Sequence, residues 1–327
     1  MVTVASSAEE KPKAASMRDA YGETLVKLGS EMREIVVVGA DTTGSIKTSL
    51  FGAKFPQRFF NVGIAEQNLV SVAAGLAMAG KVAFASTYAV FAPGKCVDQM
   101  RNAIAYPEID VKLVASHAGL SVGPDGASHQ ELEDIATMRV IPHMGVMVPS
   151  DYLSTARLVE LIAKTHGPFY MRIARPNCPA VYTPEKAEQM RIGGSTVFKD
   201  GADATIFACG LMVNEALLAA KKLALENQLS VSVVDIFSIK PLDKSTIVKF
   251  ASSTGSVVTA EEHNIIGGLG GSVAEVLSQE RPTPMRMVGT KDTFGESGED
   301  KELLIKYGLS ASNIANSVIE VRSKVSR

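Results

Sequence analysis

The sequence predicts an α/β protein: two consecutive open, mostly parallel-sheet domains with helices on both faces. Three observations carry this. Short apolar runs ending at Gly or a polar residue alternate with longer stretches of helical period, the pattern of repeated βαβ units. The alternation runs twice, broken between Pro176 and Gly194 by three prolines and a Gly pair. A chain of 327 residues also has room for two domains of roughly 150 residues each.

Taken in order, "MVTVASSAEEKPKAAS" lacks a basic region followed by an apolar core and is no secretory signal. Its composition predicts a flexible tail over residues 1–15. "EIVVVGA", ending near Gly39, reads as a buried parallel strand. A helix is expected in the segment that starts at Asn61. "KVAFAST" and "DVKLVAS" read as strands with "CVDQMRNAIAY" as helix between them. "VMVPSD" ends a strand. "SDYLSTARLVELIAKTHG" is a helix with Ser150 as N-cap and Gly167 as stop. "PFYMRIAR" closes the first domain, residues 16–185. The second domain, 186–327, repeats the pattern: "ADATIFACG" strand, "NEALLAAKKLALENQ" helix, "LSVSVVDIFSIKPLD" strand and turn, "SVVTAEE" strand, "LGGSVAEVLSQE" helix and "MRMVGT" strand.

Composition narrows the function classes. The chain is 46% hydrophobic and 21% charged, with a net charge of −2, so nothing points to nucleic acid or an anionic membrane as partner. No run has the ~20 apolar residues of a membrane span. Cys96, Cys178 and Cys209 lie far apart and form no CxxC pair. That argues against a disulfide framework or zinc site and fits a reducing, cytoplasmic compartment. All three read as core residues.

Some polar residues interrupt the pattern. Glu66 shares a helical face with Leu69, Val70, Ala73 and Ala77. A carboxylate there is either a helix-end residue reaching solvent or a desolvated acid whose raised pKa suits proton exchange. "SHAGLSVGPDGASHQELED", after a strand, carries His117, Asp125 and His129 among glycines. Ligands of open α/β sheets gather at such carboxyl ends. The loop is then a substrate-facing element, a solvated surface loop, or a zinc site, the last disfavoured by the spacing of the histidines. "GGLGG" (Gly267 to Gly271) opens a helix as either a phosphate cradle or a point of tight packing, and it lacks the GxGxxG spacing.

The segments "NVGIAEQNLVSVAAGLAMAG", "STYAVFAPGKCVDQMRNAIAYP" and "SHAGLSVGPDGASHQELEDIA" resemble the pyrimidine-binding domain of thiamine-diphosphate enzymes of the transketolase group. "VVTAEEHNIIGGLGGSVAEVL" and "FGESGEDKELLIKYGL" resemble that group's C-terminal domain. The likeness runs from about Met17 to near the end. No GDG…N-type magnesium motif of the diphosphate-binding domain occurs. The resemblance therefore implies the C-terminal subunit of a split transketolase. Its partner would be an N-terminal subunit carrying the diphosphate and Mg2+ ligands, in a heterotetramer of two of each.

Residue roles follow from the same resemblance. Glu66 would meet N1′ of the aminopyrimidine and share its proton, favouring the imino tautomer that promotes loss of the C2 proton. Tyr88 and Phe91 would pack around the pyrimidine; the third aromatic that often follows is replaced by "APGK". Asp41 would lie near the cofactor and Ser45 near the substrate phosphate. His117, Asp125 and His129 would bind the sugar's hydroxyls and assist proton transfer. Arg18 and Arg175 would hold the terminal phosphate, a dianion suited to paired planar donors. Three other readings share some of these features: the β subunit of a 2-oxo-acid dehydrogenase, a deoxyxylulose-phosphate-synthase-like enzyme, and a non-catalytic scaffold subunit. The "GPDGASH" loop favours sugars, because a small oxo-acid has no string of hydroxyls to read.

Overall fold

The computed structural model describes residues 14–325. The strands are β1 (Ala15–Ser16), β2 (Ile35–Gly39), β3 (Phe59–Asn61), β4 (Val82–Tyr88), β5 (Val111–Ser116), β6 (Gly145–Met147) and β7 (Phe169–Arg172). They continue as β8 (Asn177–Cys178), β9 (Thr196–Lys199), β10 (Ala204–Ala208), β11 (Val231–Asp235), β12 (Ser238–Lys240), β13 (Val257–Asn264) and β14 (Met285–Thr290). The first large sheet runs β12-β6-β7-β5-β4-β2-β3 and the second β14-β13-β10-β11-β9, while β1 and β8 form a two-stranded sheet of their own. Every pairing in the two large sheets is parallel except β12 on β6 and β9 on β11. The expected fold class is therefore the one observed.

Helices cover both faces of each large sheet, which explains why the strands read as unbroken apolar runs. On one face of the first sheet, Tyr21, Leu25 and Leu28 from the helix Met17–Glu31 pack with Leu158 and Ile162 from the helix Tyr152–Lys164, over Val37 and Phe84. On the other, Leu69, Val70 and Ala73 from the helix Glu66–Met78 pack with Met100 and Ile104. This second cluster continues through Tyr170 to Phe207, Val234 and Leu269 of the second domain, so the two domains share core. Ala216, Ala220 and Leu223 of the helix Met212–Asn227 cover the second sheet with Ile314 and Val318. The three cysteines are buried and free. Among the described residues no helix is long and apolar enough to cross a membrane.

Several boundaries differ from the sequence expectations. Residues 1–13 of the expected tail lie outside the described residues, but Ala15 does not behave as tail: it pairs antiparallel with Cys178. The helix expected after Asn61 begins only at Glu66, because Phe59–Asn61 adds β3 beside β2. Asp151, not Ser150, caps the helix Tyr152–Lys164, its carboxylate accepting from Ser154 N at 2.9 Å. Ser150 instead donates its hydroxyl to the buried Asp235 at 2.7 Å. The stretch "LSVSVVDIFSIKPLD" gives two strands in two different sheets: β11 stays in the second, and β12 crosses to edge the first.

A buried ion pair lies where the domains meet. Arg172 Nε reaches Asp134 Oδ1 and Oδ2 at 3.1 and 2.9 Å, and Tyr170 donates to Asp134 Oδ2 at 2.7 Å. Arg172 Nη2 donates to the carbonyl of Glu262 on β13 at 2.7 Å. Removing one partner strands the other charge in the core. Asp134→Ala is expected to lose about 3–5 kcal/mol of unfolding free energy, read from denaturant midpoints; a loss inside the ordinary range of a surface change would show the pair to be dispensable.

Candidate active site

The first sheet reverses its winding between β2 and β4, since β3 lies on one side of β2 and β4 on the other. The carboxyl ends flanking such a switch point form the crevice where open α/β sheets bind ligands. Asp41 stands just past β2, in a left-handed turn at φ 63° that Asp tolerates better than most residues. Asn61, closing β3, fixes it: Asp41 N donates to Asn61 Oδ1 at 3.0 Å, and Asn61 Nδ2 returns a bond to Asp41 Oδ1 at 3.1 Å. Gly63 N also donates to Asn61 Oδ1 at 3.2 Å. The chain thus turns into the helix whose first residue is Glu66.

Glu66 is 5% exposed. The positive end of its own helix favours a carboxylate at this position. Its Oε2 lies 3.1 Å from Lys95 Nζ, which also sits 4.5 Å from the ring centroid of Phe91. Gln67 Nε2 donates to the Lys95 carbonyl at 3.1 Å, tying the two helix starts together. The carboxylate on the apolar stripe is therefore buried, as the helical pattern implied, and it has a cationic partner that the pattern did not indicate.

Four rings adjoin this pair. Tyr88, the last residue of β4, stacks on Phe91 at 5.9 Å and 17° and on His117 at 3.9 Å and 25°. Phe91 meets His129 edge-on at 5.5 Å and 76°. Both histidines of the loop after β5 thus come onto the two aromatics. His117 is buried, holds φ at 59° and shares a 2.7 Å hydrogen bond between Nδ1 and Ser116 Oγ. Burial, helped by the nearby charges of Arg18, Arg175 and His129, pushes its pKa down to about 3, so the ring is neutral at neutral pH. Asp125 is exposed, at the end of the short helix Leu120–Asp125.

Arg18 and Arg175 line one cleft of about 330 Å³. Arg18 Nη1 donates to the Ser45 carbonyl at 3.0 Å and Arg175 Nη1 to the Val122 carbonyl at 2.6 Å. Arg18 Nε is buried without a partner. Glu299 and Asp300 line the same cleft, a carboxylate contribution absent from the sequence reading. The ten candidate residues thus fall into a cofactor-like group (Asp41, Glu66, Tyr88, Phe91), two loop histidines touching it (His117, His129) with Asp125 exposed on the same loop, and a cleft lined by Arg18 and Arg175, with Ser45 joined to Arg18 through its carbonyl. Sequence reasoning missed Lys95 and Asn61; Lys95 follows Phe91 by one helical turn, which is the signal that could have found it.

Among the described residues no three His, Cys, Asp or Glu side chains gather as a metal site. The "GGLGG" segment is no phosphate cradle. Its free amides are taken by the buried Glu261, whose carboxylate accepts from Leu269 N at 2.7 Å and Gly270 N at 2.8 Å. A Cβ on Gly268 would overlap that carboxylate, so tight packing explains the glycine.

Residues 13–180 match the transketolase pyrimidine-binding domain, and residues 193–314 the transketolase C-terminal domain. The chain belongs to the transketolase family. It is 46% identical to a protein of Methanocaldococcus jannaschii described as a transketolase C-terminal section, over 94% of this chain and 96% of that protein. It is 36% identical to one of the subunits of the apulose-4-phosphate transketolase of Phocaeicola vulgatus, over 94% and 97%. Among solved structures it superposes with a TM-score of 0.87 on a split-gene transketolase described as an inactive β4 tetramer, at 49% identity over 94% of this chain and 98% of that one. The chain thus corresponds to the C-terminal half of a transketolase, as its motifs implied.

Proposed function

We propose that this transketolase-family chain supplies half of an active site that moves a two-carbon ketol unit from a ketose phosphate to an aldose phosphate. A separate subunit would supply the diphosphate and Mg2+ ligands, two copies of each chain would assemble, and turnover would need both. We take 16–185 as the pyrimidine-binding domain and 186–327 as the C-terminal domain. The observation that carries the reading is the convergence of Glu66, Tyr88, Phe91, His117 and His129 at one switch point.

These residues fit thiamine diphosphate. A buried carboxylate beside two aromatic faces suits a flat aminopyrimidine with a basic ring nitrogen. When bound, thiamine diphosphate supplies the nucleophilic carbon that carries the two-carbon unit. The chain's own groups do the rest. Glu66 holds and returns a proton at the pyrimidine ring nitrogen, with Lys95 released or shared when the ring arrives. Tyr88 and Phe91 present apolar faces and exclude water, and Asp41 stands near the cofactor. His117, neutral and with Nδ1 engaged by Ser116 Oγ, offers Nε2 to a sugar hydroxyl, as donor or acceptor according to its tautomer. His129 and Asp125 serve the same hydroxyls, and His129 assists proton transfer. Arg18 and Arg175 take the terminal phosphate, with Ser45 beside them.

The test uses the chain assembled with its diphosphate-domain partner. Turnover of ketose phosphates is expected; turnover of pyruvate without ketose phosphates would move the assignment to the oxo-acid dehydrogenases. Within the active assembly, Arg175→Ala is expected to raise KM for phosphorylated donors by about 2 kcal/mol of charge-assisted hydrogen bonding, or ~30-fold, and to leave hydroxypyruvate nearly untouched. His129→Ala should instead lower kcat with both donors. Equal losses for both donors in Arg175→Ala would mean that the arginine acts only by holding the Val122 carbonyl.

A further inference from the structure

The second sheet has its own switch point, between β10 and β13, since β11 lies on one side of β10 and β13 on the other. By the rule that places ligands at such crevices, this one should be open. It is filled. The opening left among Ala118, Val148, Gly210, Leu211 and Glu262 measures about 10 Å³, at most the space of a single water. The element that fills it is the first domain's loop from Ser116 to Glu131. Glu262, 3% exposed, extends from β13 and accepts from the backbone amide of Ser121 at 2.6 Å. Gly119 lies against that carboxyl group at φ 85°, and a Cβ there would overlap Glu262 Cδ.

The rest of the loop is gripped from the same side. Buried Gln130 donates through Nε2 to the carbonyls of Gly123 at 3.1 Å and Glu296 at 2.9 Å, so the "FGESGE" segment is bonded to the loop's floor. No sheet ladder holds Leu120–Asp125. Leu120 packs into the second domain's core cluster, and the rest of the segment is held by these side-chain bonds and by Arg175 at Val122. Arg172 fixes the seat itself by donating to the Glu262 carbonyl at 2.7 Å.

We infer that Glu262 is a positioning residue of the second domain: it occupies that domain's ligand crevice with the first domain's loop and so sets where His117, Asp125 and His129 stand. The inference rests on the proposed role of those three residues toward sugar hydroxyls. It gives the C-terminal domain a task in catalysis without any contact to the reacting atoms. A buried amide that loses its acceptor is costly, so the loop should loosen when Glu262 cannot accept. It should hold when the acceptor is kept without the charge.

Glu262→Gln and Glu262→Met separate these cases, each made in the full chain and assembled with the diphosphate-domain partner. Glu262→Met is expected to speed amide hydrogen exchange over 117–131 and to raise KM for a ketose phosphate about tenfold. Affinity for thiamine diphosphate should stay unchanged, because Glu66, Tyr88 and Phe91 lie on other elements. Glu262→Gln should restore both readouts toward the parent. Loop exchange and KM unaltered in Glu262→Met would overturn the inference. So would equal damage in the two variants, or a cofactor affinity that falls in step with KM. If the unaltered assembly turns over no ketose phosphate, the functional reading fails instead, and loop exchange in Glu262→Met against Glu262→Gln still decides whether Glu262 seats the loop.

Discussion

Glu66→Gln is expected to slow exchange of the thiamine diphosphate C2 proton in the assembled enzyme by about 10² to 10⁴-fold, the usual cost of a lost acid–base group. Glutamine keeps the size and the place in the first helical turn. It accepts from Lys95 Nζ through its carbonyl, so the local packing survives. What it cannot do is take up and return a proton. Quenched-flow proton–deuterium exchange followed by NMR reads this step without a sugar substrate. Cofactor affinity and subunit assembly, measured in parallel, should stay near the parent values. An unchanged exchange rate would remove Glu66 from proton transfer. Glu66→Ala gives the complementary result: lost turnover with normal assembly excludes a scaffold-only subunit.

The isolated chain is expected to show no measurable transketolase turnover and weak binding of thiamine diphosphate, and both should appear on mixing with a diphosphate-domain subunit. The residues gathered at the switch point suit the pyrimidine end of the cofactor only; no GDG…N motif occurs in the sequence. Ile64, two residues before Glu66, is 80% exposed, an apolar group at the rim of the site that suits cover by another chain. Titrating the partner while following calorimetric cofactor binding and ketose consumption checks this directly. Robust turnover by the purified single chain would refute it.

Much of this was legible in the residues, for identifiable reasons. Strands buried on both faces announce themselves as apolar runs, and β2, β4, β5, β7, β10, β11 and β13 were found that way; the half-buried edge strand β14 was legible as well. Three other short or edge strands carry no such signature. β3 is largely exposed, β9 is half-buried, and β12 has three residues, so none stood out. The helical period put Glu66 on the buried stripe but could not say what faced it, because Lys95 meets it from another helix. The loop histidines were visible as types and not as neighbours of Tyr88 and Phe91; that adjacency comes from β4 and β5 pairing side by side. Glu262 was least visible of all. It lies 141 residues from the amide it holds, and no local pattern reports a contact of that range.

The crossing of β12 bears on how the protein is made. Its partner β6 is fully buried, yet the strand that completes that side of the sheet is translated only after β9, β10, β11 and their helix. A nascent chain that has finished its first six-strand layer still presents β6 as an open edge, ready to recruit any other extended segment. The first sheet is completed only when β12, from the second half of the chain, pairs with β6. Proteolytic fragments cut between them should for the same reason be sticky, and the intact chain should melt in one step.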